Sequence, residues 1–185
     1  MKKLFFLFLV LLLLGFNYSC SKKNDSKKND SEETIKKCEY KCSNINDPDF
    51  CKRVCEKEIF DLRWEFLGFN GVGGLALFYD SESIFISDDI VNVWGKIIYS
   101  EKAKQDVIRK KGTKYKKLDK SLFLLKIDCS KRRVQLLEKI DYALDGSILD
   151  RVNLPEFLAE WVSIPPGSIA EKIFEEICVI ENTTS

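Results

Sequence analysis

The sequence predicts an α+β fold: an antiparallel β-sheet with a C-terminal helix packed on one face, preceded by a small helical hairpin. Three observations carry that expectation. From Trp64 onward the chain runs in short stretches of period-two alternation broken by glycines, the pattern of half-buried strands. Near its end stands one capped, amphipathic helix signal, "PPGSIAEKIFEEIC". Ahead of the strands, Cys38, Cys42, Cys51 and Cys55 form two Cys-x-x-x-Cys pairs, each spaced to lie on one face of a helix.

The chain begins with Lys2 and Lys3, then an apolar run from Leu4 to Phe16 that is too short to span a bilayer as a helix. Residues 1–19 therefore read as a secretory signal peptide. "NYS" leads into Cys20, the place of the lipidated cysteine in a bacterial lipoprotein. Asn17 stands where such sites usually carry an apolar residue, so cleavage near Ser19 with Cys20 left as a free thiol is the competing reading. Cysteine parity favours lipidation: removing Cys20 from the seven leaves six that can all pair, as an oxidising compartment requires. The chain is then expected in the bacterial cell envelope, lipid-anchored to the membrane (the outer membrane by preference), exposed on the surface or facing the periplasm.

Residues 20–31 carry "SKKNDSKKND", a pentapeptide repeat with no apolar residue. Such a segment cannot bury enough surface to offset its ordering entropy, and it predicts a disordered tether. Residues 32–61 follow as the cysteine hairpin. Ser31 caps a helix running to about Ser43, and "NDPDF" restarts one, with Asp47 as N-cap and Pro48 in the first turn, through Ile59. Two such helices packed antiparallel would pair nested, Cys38 with Cys55 and Cys42 with Cys51. So small a piece has almost no core and needs staples, and closing the outer loop is worth about 3 kcal/mol. Zinc ligation also fits the cysteine spacing, and thiol chemistry is a third reading. An exported chain favours the disulfides.

The main domain is expected over residues 62–180, with a disordered tail at 181–185. "WEFLGF" and "LALFYD" flank "NGVGG", a hairpin signal. "IVNVWGKII" alternates Val91, Val93 and Ile97 against Asn92 and Lys96, and "SLFLLKID" and "RRVQLLEKID" give two more strands. "DGSILD" adds a turn and a short strand. One helix spans about Ser100 to Lys111. The last opens on a capping box of Ser168 and Glu171 and carries the stripe Ile169, Ile173, Phe174, Ile177 and Cys178. Cys178 therefore faces the core. Its remaining partner is Cys129 at a strand end, a bridge that would pin helix to sheet.

At this point the residues resemble the surface-adhesin protein E family of bacterial lipoproteins. The marks are Trp64, "YDSESI" from Tyr79, "VNVW" ending at Trp94, "IDCSKRR" from Ile127, Asp145–Gly146, "WVSIPPGS" from Trp161, and Cys178. They span residues 64 to 179. The resemblance implies a sheet of about six strands with a C-terminal helix, a membrane-anchored chain, a homodimer, and adhesion to an extracellular ligand. The cysteine hairpin lies outside the resemblance and reads as an added module, and the spacer "LPEFLAE" is longer than the family pattern.

Composition narrows the function. Net charge is +1, so nothing global points to nucleic acid. Histidine is absent, which excludes Ser-His and Cys-His nucleophiles. The chain is read as a non-enzyme with no cofactor and no metal. The candidate partner-binding residues lie in "KAKQDVIRKKGTKYKKLDK", nine lysines and arginines against two aspartates: Lys102, Lys104, Arg109, Lys110, Lys111, Lys114, Lys116 and Lys117. Such a run reads first as a solvated helix and loop balanced by acids elsewhere, and alternatively as a surface for a polyanion, an acidic partner or lipid head groups. Asp80, Glu82, Asp88, Asp89 and Asp128 read as local turn formers rather than a carboxylate pair. "GVGG" is no phosphate loop, because no helix follows it. Trp64, Trp94 and Trp161 read as core or interface anchors. The expected function is an adhesin-like binding domain for a protein or polyanionic partner. A periplasmic scaffold or assembly partner and a thiol-active CxxxC protein are the alternatives.

Overall fold

The structure, a computed structural model, describes residues 47–57, 61, 63–70 and 74–178. The signal, tether, first hairpin helix and C-terminal tail predicted above lie outside the described residues, as do Cys20, Cys38 and Cys42. The described chain runs α1 (Pro48–Lys57), β1 (Trp64–Asn70), β2 (Leu75–Asp80), β3 (Phe85–Ser87), β4 (Ile90–Tyr99) and α2 (Glu101–Lys111). It continues with β5 (Leu118–Asp128), β6 (Arg133–Ala143), β7 (Ile148–Asn153), β8 (Val162–Ser163) and α3 (Ile169–Cys178). Short 3-10 turns at Ser81–Ser83 and Thr113–Lys117 join β2 to β3 and α2 to β5.

All eight strands form one antiparallel sheet, ordered β1-β2-β4-β5-β6-β7, with β3 added to β4 and β8 to β6. The six ordered strands match the expected number, and β3 and β8 are the additions. Long β4, β5 and β6 are the spine, because their alternating sequences bury one face continuously. On that face Val91, Val93, Ile97, Phe123, Leu125 and Ile127 join Ile173, Phe174, Ile177 and Cys178 of α3 in the main core. Ala103, Val107 and Ile108 of α2 pack against the same cluster.

The helix ends form as the sequence dictates. Ser168 Oγ accepts the Glu171 amide at 3.1 Å, while the Glu171 carboxylate accepts the Gly167 amide at 2.6 Å. Ser100 caps α2 by accepting from the Ala103 amide, and Gly112, at φ 97°, closes it. Asp47 caps α1 through the Phe50 amide at 2.9 Å. Cys129 and Cys178 form the expected disulfide, with their Cα atoms 5.6 Å apart.

The C-terminal helix covers one face as expected, and the second face of the sheet is covered as well. Phe50, Cys51, Val54 and Cys55 of α1 pack on Ala76, Phe78 and Ile98, with Trp64, Phe66 and Phe69 around them. The cysteine segment is therefore integrated into the domain over β1, β2 and β4 rather than standing apart from it. The aromatic rings meet edge-on, Phe50 to Phe69 at 6.0 Å and Phe66 to Phe69 at 5.0 Å. Lys96, read from alternation as a solvent-facing residue, lies beneath this layer at 3 % exposure, its ammonium 4.7 Å from the Trp64 ring and 4.5 Å from that of Phe78. The tryptophans are half-buried rather than core. Trp64 packs on Lys96, and Trp161 lies under the Arg133 guanidinium at 5.2 Å.

Candidate partner-binding site

The basic run is split by the fold into two groups. Lys111 and Lys114 are exposed but paired with carboxylates of the sheet. Lys111 bonds Asp141 at 3.2 Å, and Lys114 stands 3.9 Å from Asp150. Arg109 pairs with Asp106, and Lys104 bonds Glu101 at 2.8 Å, both on α2 itself. Lys102, Lys110, Lys116 and Lys117 have no ion-pair partner among the described residues. Lys104, Lys116 and Lys117 line a cleft of about 560 Å³ together with Leu118, Leu144 and Asp145. Three elements build it: α2, the 3-10 turn before β5, and the β6–β7 turn. Leu144 is 80 % exposed at its rim, while Asp145 is turned into its own loop, accepting from the Ser147 amide at 3.0 Å and hydroxyl at 2.6 Å. The cleft thus offers ammonium groups beside an apolar wall, a surface for an anion that carries an apolar part.

Lys111 and Lys114 belong to a polar network that the sequence reading missed. Tyr99 Oη and Ser121 Oγ are 2.8 Å apart, Ser121 donates to Asp141, and Lys139 donates to the same carboxylate. Tyr115 Oη donates to Asp150 at 2.7 Å. Burial pushes the Asp141 carboxyl up, but hydrogen bonds from Lys139 and Ser121 and the charges of Lys139 and Lys111 outweigh it, and the net shift is downward. Burial and the bond to Asp150 push the Tyr115 phenol up to about 12. This network ties α2 and the following turn to β5, β6 and β7, and so holds the cleft's walls in place. Its signal was present: Ser121 shares its face with Phe123, Leu125 and Ile127, so its hydroxyl has to fall in the core.

The acidic candidates scatter. Asp80 is fully buried and accepts from Arg63 Nε at 2.8 Å and the Glu82 amide at 3.1 Å. Asp128 accepts from Arg133 at 2.9 Å, with the Lys131 amide and Ser130 hydroxyl adding to it, and its carboxyl is held down at about 2. Asp88, at φ 53°, sits in the β3–β4 turn beside Asp89. Among the described residues no three His, Cys, Asp or Glu side chains gather as a metal site, and no helix is long and apolar enough to cross a membrane.

Cys51 and Cys55 are disulfide-bonded and 0 % and 2 % exposed. A bonded, buried cysteine presents no thiolate. The nested partners predicted for them, Cys42 and Cys38, lie outside the described residues.

A second feature unforeseen in the sequence is the segment 154–161, laid over β5 and β6 on the α1 side of the sheet. Buried Gln135 donates to the Ala159 carbonyl at 2.7 Å, Lys126 pairs with Glu156, and the amide of Leu158 closes a turn on Pro155 at 2.8 Å. Held this way, Phe157 stands 85 % exposed and Leu158 61 % exposed.

No curated protein matches the chain. Among solved structures it is similar to that of Haemophilus influenzae protein E at 16 % identity and a TM-score of 0.38, covering 59 % of this chain and 81 % of that one. Crystal form II of the same protein gives 15 % identity and a TM-score of 0.37, covering 57 % and 82 %. The family model described as Surface-adhesin protein E matches residues 64–179, from the first strand of the sheet to the end of α3. The chain belongs to the surface-adhesin protein E family.

Proposed function

We propose that this protein is a non-catalytic envelope lipoprotein, anchored through Cys20, whose domain binds a polyanionic or acidic partner through the basic surface of α2 and the turn that follows. The observation that carries the reading is the set of four lysines, Lys102, Lys110, Lys116 and Lys117, that the fold leaves outside any ion pair among the described residues. Two of them stand in the cleft beside Leu144. Family membership supports binding at the cell surface as the general role. Cysteines at 38 and 42 staple the N-terminal segment to α1 in this reading.

Heparin serves as the polyanion that tests it. Replacing Lys102, Lys110, Lys116 and Lys117 by glutamine removes the unpaired charges and leaves the Lys111–Asp141 and Lys114–Asp150 pairs intact. Retention on immobilised heparin at low salt is expected to weaken by about tenfold or more, since each cation near an anionic surface contributes on the order of 1 kcal/mol. Unchanged retention overturns the proposed surface. Protease shaving of intact cells, with a periplasmic control protein, then decides between an outward-facing adhesin and a periplasmic scaffold.

A further inference from the structure

The cleft and the 154–161 segment are chemical complements at opposite ends of one strand. The cleft sets Lys104, Lys116 and Lys117 around exposed Leu144, with Leu118 buried at its floor. The segment "PEFLAE" sets Phe157 and Leu158 outward between Glu156 and Glu160, all four exposed. Glu156 keeps its pairing with Lys126 while remaining exposed, and Glu160 has no ion-pair partner among the described residues. The projection is preorganised, because Gln135, Lys126 and the Pro155 turn hold its base. A fixed aromatic–aliphatic tip loses little freedom on docking, which is the character of an interface anchor.

One copy cannot fill its own cleft. The tip is fastened at Gln135, near the start of β6, and Leu144 follows the end of that eleven-residue strand. At about 3.4 Å per residue the two lie about 30 Å apart.

We infer that the cleft takes the acidic, aromatic tip at residues 155–160 of a second copy of this chain, so that the protein associates head to tail. Phe157 would enter beside Leu144, with Glu160 meeting Lys116 and Lys117. Such a contact is heterologous: it uses two different patches and leaves a free tip and a free cleft at the ends of every assembly. It grows into rows or closes into a ring, unlike the two-fold pairing of an ordinary homodimer. The inference rests on the cleft being the binding surface proposed above, and it names a partner for it.

The test uses the full-length chain in a non-ionic detergent, with sedimentation velocity across a concentration series. Association beyond the monomer is expected, shifted to about tenfold higher concentration by Phe157→Ser or by Lys116→Glu with Lys117→Glu, as the loss of a central anchor does. Combining Lys116→Glu and Lys117→Glu with Glu160→Lys, which leaves the Lys126–Glu156 pair at the base of the tip intact, is expected to restore association, a rescue that misfolding does not produce. Added heparin competes for the lysines and is expected to dissolve the assemblies. A photo-crosslinking residue at position 157 should capture peptides containing Lys116–Leu118 or Leu144. A chain that stays monomeric, association indifferent to Phe157, or capture elsewhere overturns the inference. If heparin retention persists in any of those cases, the binding surface stands and only the partner assignment falls.

Discussion

Gly95 shows how one residue can carry a packing decision. It sits in mid-β4 opposite Phe123 of β5, and the Phe123 ring lies over it. A Cβ built at Gly95 would fall 2.1 Å from that ring. Gly95→Ala is therefore expected to destabilise the domain by about 1–3 kcal/mol, because the ring is packed in the core and has little room to yield. The denaturant midpoint measures it, and an unchanged midpoint would refute the close approach. A lone glycine inside a strand pattern signals such an approach, but nothing local to "NVWGK" says that Phe123 is the partner. Asp128 carries a different kind of prediction. Hydrogen bonds from Arg133, Lys131 and Ser130 hold its folded carboxyl at about 2, against an ordinary 3.8. A depressed carboxyl stabilises the folded state above its unfolded value and loses that stabilisation as pH falls through the folded one. The native protein should lose stability between about pH 4 and pH 2 at this site. Asp128→Asn should be less stable at pH 6 and show a shallower fall across that window, read from midpoints at several pH values. Identical slopes would remove Asp128 from the account.

Among the elements, those legible in the sequence were those whose reasons are local. The capping box at Ser168, the Asp47–Pro48 start of α1 and the alternation of β4, β5 and β6 are each written within a few residues, and each formed as read. β3 and β8 escaped because strands of three and two residues are fixed by the neighbour they add to, not by their own pattern. The α3 helix illustrates a long-range tie that could be read, since counting cysteines left Cys129 for Cys178. Its bridge encloses a separation of 49 residues, and in the chain-entropy model it contributes about 4 kcal/mol. The paired substitution Cys129→Ser with Cys178→Ser is expected to lower stability by about 2–5 kcal/mol. It should also raise amide exchange along α3 above that of the sheet spine. Equal protection of α3 in both proteins would mean that the apolar stripe alone secures the helix.

Across the whole molecule, what stayed hidden was which surfaces are covered. Lys96 reads as solvent-facing from its own strand, but the rings of Trp64 and Phe78 on β1 and β2 close over it, and it is buried. The cleft combines α2, a turn and the β6–β7 loop, three segments up to about forty residues apart in sequence. Its basic residues were visible, but only the fold shows that Lys111 and Lys114 pair with Asp141 and Asp150 while Lys116 and Lys117 stand outside any ion pair among the described residues. The sheet is thus sandwiched between segments from opposite ends of the chain, α1 on one side and α3 on the other.

That arrangement fixes how a pull on the N-terminal side would travel. The load meets α1 first and then β1, the outermost strand of the sheet, so the structure yields by peeling from one border rather than by shearing its spine. Beyond that border the Cys129–Cys178 bond withholds its 49-residue span from stretching, about 165 Å of extended chain at about 3.4 Å per residue. A molecule strained between its N-terminal side and a partner held at α2 would pay out β1, β2 and β4 first, while the bridged span beyond them stays folded.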